Sequence, residues 1–163
     1  MEFYADMKNC SLLVDGSYKY RLTSNVRNFQ NGLRQSNEVV YTIPGKFPYM
    51  PAPFPAGKWK ITGVVWQKDK DGRDVFNYNT YGPCKIITDA FQLVPVWKLD
   101  DEGDYLCETD QLVRDTCYWF HYSVSSTTLG CGRISTPDDA ILLGKMIDLA
   151  LGKGESCPLE VVW

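Results

Sequence analysis

His121 is the only histidine in this 163-residue chain, and Cys131, one of six cysteines, follows it closely in the stretch His-Tyr-Ser-Val-Ser-Ser-Thr-Thr-Leu-Gly-Cys-Gly-Arg. A thiol near its ordinary pKa of about 8.5 is only about 3% thiolate at neutral pH, so a nucleophilic cysteine needs a neighbouring base or amide dipoles. His121 is the one imidazole that can serve. Gly130 and Gly132 flank the sulfur, which lets a substrate backbone approach and leaves amide N–H groups to line an oxyanion hole. Arg133, two residues on, is suited to hold a carboxylate. The alternative is plainer: a buried structural cysteine sharing a loop with a hydrogen-bonded histidine, a common fate of both residue types.

Cysteine and histidine meet only if the chain doubles back. Cys117 to Val124 is aromatic and β-branched and reads as a strand carrying His121, and Ser125 to Gly130 are small loop formers. After Arg133 one helix is signalled. Thr136 is the expected N-cap and Pro137 the first helical residue, with Asp138 and Asp139 at the positive end of the dipole. Ala140, Leu143, Ile147, Ala150 and Leu151 form its apolar stripe, and Gly152 is expected to close it. Leu159 to Trp163 reads as a short final strand.

Upstream the chain is essentially all β. Ser11 to Val14 and Ser17 to Leu22 form a hairpin around Asp15-Gly16. Asn25 to Asn37 is a polar connection, and Val39 to Ile43 another strand. The proline-dense passage Phe47 to Gly57 must run extended. Strands are expected at Trp59 to Trp66, Val75 to Tyr78, Ile86-Ile87 and Phe91 to Leu99. The N-terminal Met1 to Asp6 is polar and acidic, with neither the basic nor the apolar region of a secretory leader.

The bulk numbers bound the function. One compact domain, residues 1–163, is expected from the length. A net charge of −3 argues against a nucleic-acid partner. No run approaches the roughly 20 apolar residues of a membrane span. The cysteines lack C-x-x-C spacing and only one histidine is present, so no metal and no other cofactor is expected. Trp119 and Tyr118, with Tyr49, Trp59, Trp66 and Trp97, are candidates for lining a groove, although a β-rich core would also claim such rings.

The order His, then Thr-x-Gly-Cys-x-Arg, then a helix and a terminal strand resembles the catalytic segment of the L,D-transpeptidases of the YkuD type, enzymes of peptidoglycan. Phe54-Pro55-Ala56-Gly57-Lys58-Trp59-Lys60-Ile61 is similar to that family's Thr-Pro-x-Gly-x-Tyr/Phe-x-Ile strand entry, and the matched pieces span about two thirds of the chain. The short interval from His121 to Cys131 is most like the small type VI secretion effectors that attack stem peptides, and also resembles phage-encoded relatives. The family places a bulky aliphatic after the cysteine, where this chain has Gly132.

The resemblance implies a mainly β fold, a sandwich or barrel with one helix after the cysteine and a short C-terminal strand. It also implies Cys131 as nucleophile, His121 as base, Arg133 as substrate anchor, and a backbone carbonyl of Tyr122 or Ser123 orienting the imidazole. The expected activity is L,D-carboxypeptidase or L,D-transpeptidase chemistry, including D-amino acid exchange, on peptidoglycan tetrapeptide stems through a thioester. The expected setting is a monomeric antibacterial toxin made in the cytoplasm without a signal peptide. A specialised secretion system would export it to the target periplasm, and a cognate immunity protein would restrain it in kin. Disulfides such as Cys107 to Cys117 are compatible with that compartment. The competing expectation is a non-catalytic, aromatic-rich β module that binds peptidoglycan or a protein partner.

Overall fold

The computed structural model describes residues 1–24, 52–73, 81–99, 101, 105–116, 118–123 and 131–163. The expected strand at Val39 to Ile43, the connection before it and the strand at Val75 to Tyr78 lie outside them, as do Tyr49, Cys117 and Gly130.

The fold is mainly β, as the sequence implies. Its strands are β1 (Phe3–Asp6), β2 (Ser11–Val14), β3 (Tyr18–Thr23), β4 (Gly57–Trp66), β5 (Cys84–Thr88), β6 (Gln92–Leu99), β7 (Tyr105–Asp115), β8 (Trp119–Tyr122), β9 (Gly132–Ile134) and β10 (Pro158–Val162), with one described helix, α1 (Pro137–Gly152). Strands β1, β10, β4, β5, β8, β9, β3 and β2 close a barrel in that order, and β6 and β7 form a separate two-stranded sheet. Closure removes the unpaired edges on which other chains could add.

The hairpin β2–β3 turns where expected, with Asp15 at φ 49° and Gly16 at φ 68°. Three strands were not anticipated. In β1, Phe3 and Ala5 face the core while Tyr4 faces out, and the strand pairs with both β2 and β10. The charged β7 is held by its pairing to β6. The third is β9, only three residues long, pairing parallel to β8 and antiparallel to β3.

Leu12, Val14, Leu22, Ile86, Phe120, Ile134 and Leu159 fill the barrel, and α1 adds Ala140, Leu143 and Ile147 to the same core. Full burial of Leu143 and Ile147 contributes roughly 2 kcal/mol each, which holds the helix on the barrel. Thr136 accepts a hydrogen bond from the Asp139 N–H at 3.1 Å, as an N-cap should. The C-terminus differs from expectation. Gly152 is still helical, and Gly154, at φ 78°, makes the left-handed exit, with Glu155 N–H bonding Ala150 O and Gly154 N–H bonding Leu151 O in a Schellman motif. Among the described residues no helix is long and apolar enough to cross a membrane.

Candidate active site

Strand β8 reads Trp-Phe-His-Tyr, and strict alternation divides its side chains. Phe120 is fully buried in the barrel, stacked on Phe54 with ring centroids 5.1 Å apart. His121 therefore projects from the opposite, outer face of the wall. Its neighbours follow from register: His121 pairs with Lys85 of β5 on one side and Arg133 of β9 on the other. Directly paired residues project from the same face, so Lys85, His121 and Arg133 form a row across three strands.

Cys131 stands in a bend immediately before β9, two residues from Arg133. It is 8% exposed, yet it is no part of the core cluster that fills the barrel. The parallel register sets Gly132 beside Phe120, and Cys131 one step before it. One strand across and two residues along is a diagonal of roughly 8 Å between Cα atoms, within reach of two side chains on one face.

The imidazole, 4% exposed, is held in one orientation. Its Nδ1 lies 2.9 Å from the Tyr122 carbonyl oxygen. A carbonyl only accepts, so Nδ1 carries the proton and Nε2 keeps the lone pair of a base. Burial pushes the His121 pKa down and the Tyr122 hydrogen bond pushes it up, while the charges of Lys85 and Arg133 lower it further. The ring is thus kept neutral. The Tyr81 ring meets it edge-on at 5.3 Å between centroids.

Of the two carbonyls expected to orient the imidazole, only that of Tyr122 does so. The Ser123 carbonyl instead accepts from Arg133 Nε at 2.9 Å, fixing the guanidinium beside the row. Trp119 lies on the outer face, with the Lys85 ammonium 4.8 Å from its ring centre. Tyr118 corrects the expectation that it contacts substrate: it is 1% exposed, and its hydroxyl donates to Asp115 Oδ2 at 2.8 Å and accepts from Gln92 Nε2. Trp97 is likewise buried, and Trp59 and Trp66 pack against the core.

Gly132 has a reason that the sequence does not reveal. A Cβ there would overlap the Phe120 ring and come within 3.0 Å of Leu22 Cδ1. Its missing side chain faces the barrel interior, away from Cys131. A bulky residue at this position is therefore excluded by the phenylalanine on β8.

Sequence reasoning missed Lys85, Tyr81 and Gly82. Gly82, at φ 62°, brings the turn before β5 against Tyr122, where a Cβ would lie 2.9 Å from the Tyr122 carbonyl oxygen. Tyr81, Gly82 and Lys85 also border an open cleft of about 220 Å³ shared with Val65, Trp66, Gln67 and Cys84. Alternation in Cys84-Lys85-Ile86 was a usable signal for Lys85 facing outward; its partner strand was not legible.

Cys10, Cys84, Cys107, Cys131 and Cys157 form no disulfide. Cys107 is among them, so the Cys107 to Cys117 bridge that was compatible with an oxidising compartment is not formed. No cluster of three or more His, Cys, Asp or Glu among the described residues is arranged to hold a metal ion. Comparison with models of known protein families, with curated proteins and with solved structures returns no match.

Proposed function

We propose that the chain is a cysteine-dependent acyl-transfer enzyme of the L,D-transpeptidase type, acting on peptidoglycan tetrapeptide stems. The observation that carries this reading is the Nδ1–H tautomer of His121, fixed by the Tyr122 carbonyl one diagonal step from Cys131. That tautomer leaves Nε2 as the basic nitrogen of the ring.

In the proposed reaction His121 Nε2 takes the proton of the Cys131 thiol, and the sulfur attacks the carbonyl carbon at the L-centre that precedes the terminal D-Ala. The tetrahedral intermediate collapses with cleavage of the C–N bond, and the departing amine takes the proton from Nε2. A thioester and free D-Ala result. Water then gives its proton to Nε2 and attacks the thioester, and the sulfur leaves as the thiol, which is net carboxypeptidase chemistry. A D-amino acid or another stem's amine in place of water re-forms an amide, which is exchange or cross-linking. The setting as an antibacterial toxin, exported to a target periplasm and restrained by an immunity protein, is supported only by the resemblance of the His-to-Cys interval.

Mass spectrometry of disaccharide-tetrapeptide muropeptides incubated with the protein and with Cys131→Ala, with and without D-methionine, tests the reading. Loss of D-Ala or its replacement by D-methionine with the wild type alone is the expected result. Unchanged muropeptides in a folded preparation whose Cys131 also resists alkylation would replace it with the binding-module reading.

A further inference from the structure

In the proposed reaction the departing amine must lie at His121 Nε2 to receive its proton. The groups around that point are ordered by the strands: Cys131 and Arg133 belong to the β9 side of His121, and Lys85 to the β5 side. The acyl half of the substrate stays with the sulfur. The leaving residue extends past the imidazole, toward β5. In a free α-amino acid the carboxylate is two bonds from the amine nitrogen, so it arrives beside His121 on that side.

Lys85 is built to meet it. Its Nζ lies 3.9 Å from the centre of the Tyr81 ring and 4.8 Å from that of Trp119, so the ammonium is seated between two aromatic faces. No carboxylate among the described residues forms an ion pair with it. The Tyr81 ring touches both Lys85 and His121, which ties the position of the charge to that of the base. Tyr81 and Lys85 also border an open cleft, so the ammonium stands where a ligand can reach it.

We propose that Lys85, in register with His121 and seated over Tyr81 and Trp119, is the specificity-determining residue that recognises the free α-carboxylate of the residue leaving from Cys131. The inference rests on the acyl-transfer reading and sharpens it: cleavage is confined to the last peptide bond before a free C-terminus.

The test compares a tetrapeptide stem ending in free D-Ala with the same stem ending in D-alanine amide. Both are assayed for turnover with wild type, Lys85→Met and Lys85→Arg, and for calorimetric binding to Cys131→Ala and Cys131→Ala/Lys85→Met. A charge-assisted hydrogen bond predicts a wild-type preference for the free acid of roughly ten- to a hundredfold in kcat/KM. The preference should collapse toward unity in Lys85→Met, mainly through KM, and be restored in part by Lys85→Arg. A wild-type ratio near one, or equal losses on both peptides in Lys85→Met, overturns the role of Lys85 and leaves the acyl-transfer reading standing. Absence of turnover, together with Lys85-dependent binding that favours the free acid, sinks the chemistry but upholds the carboxylate site. Absence of turnover and of any such binding overturns both.

Discussion

Cys84 and Lys85 are consecutive on β5 and face opposite ways, and the two sides of the wall they belong to differ in kind. On the inner side the Cys84 thiol donates to the Ala140 carbonyl at 3.3 Å, and the Trp66 ring and Gly144 lie close by. Burial, with a smaller push from Asp148, drives its pKa up to about 12. On the outer side Lys85, His121 and Arg133 form a row, and Cys131, also buried, stands immediately before the strand that carries Arg133. Burial alone thus says little about a cysteine. What it is buried beside decides whether the thiol can ionise.

The largest expected effect follows directly. With a pKa of about 12, roughly one Cys84 thiol in 10⁵ is ionised at pH 7. Brief iodoacetamide treatment of the folded protein near pH 6.5, followed by peptide mapping, should label Cys131 and spare Cys84 and Cys157, whose thiol is also raised by burial. We expect a rate difference of about 100-fold or more. Equal labelling of Cys131 and Cys84 would erase the distinction between the two faces.

A second prediction bears on the inner side at the point nearest the site. Gly132→Val drives a side chain into the Phe120 ring. Overpacking of this kind costs about 1–3 kcal/mol, or a fall in Tm of roughly 2–12 °C in a chain of this size. Adding Phe120→Leu to Gly132→Val should recover part of the loss. Full stability of Gly132→Val alone would mean that the glycine is there for the outer face after all.

How much of this was legible depends on the range of the signal. The helix and its N-cap, the β2–β3 hairpin, β4 and the strand carrying His121 are local patterns, and they stand where Thr136-Pro137, Asp15-Gly16 and the alternation around Phe120 put them. The strand β1 was equally local, in the alternation of Phe3, Tyr4 and Ala5, but the acidic ends of that segment hid it. The parallel register of β8 and β9 was not legible. Three residues containing a glycine carry no strand signal, and β9 exists because β3 and β8 bind it from both sides. That Cys131 and His121 could meet was suggested by the small loop formers between them, but the register that sets their spacing was not. The arrival of Lys85 beside them depends on β5 pairing with β8 across a long separation in the chain. Tyr118 misled for the opposite reason: its residue type suits a groove, but its hydroxyl is satisfied by Asp115 and Gln92 within the core.

The smallest expected effect distinguishes the two faces by pH. His121 is the ionisable group of the outer row that burial holds neutral, and its pKa lies below the ordinary 6.5, chiefly through desolvation and then through Lys85 and Arg133, against the opposing Tyr122 hydrogen bond. The acid limb of kcat/KM, which reports the free enzyme, should therefore fall below pH 6.5, and Lys85→Met should move it upward by removing one of the depressing charges. The same group links to stability. Between its lowered folded pKa and 6.5 the unfolded chain binds a proton that the folded protein does not, so stability rises with pH across that window and the penalty vanishes above it. Denaturant unfolding between pH 5 and 7 should show that slope in the wild type and lose it in His121→Gln. Cys84, on the inner side, has no part in this window, because its thiol stays protonated throughout. A slope that survives His121→Gln would mean that the proton is taken up elsewhere, and the row Lys85, His121, Arg133 would then have no claim to hold the imidazole neutral.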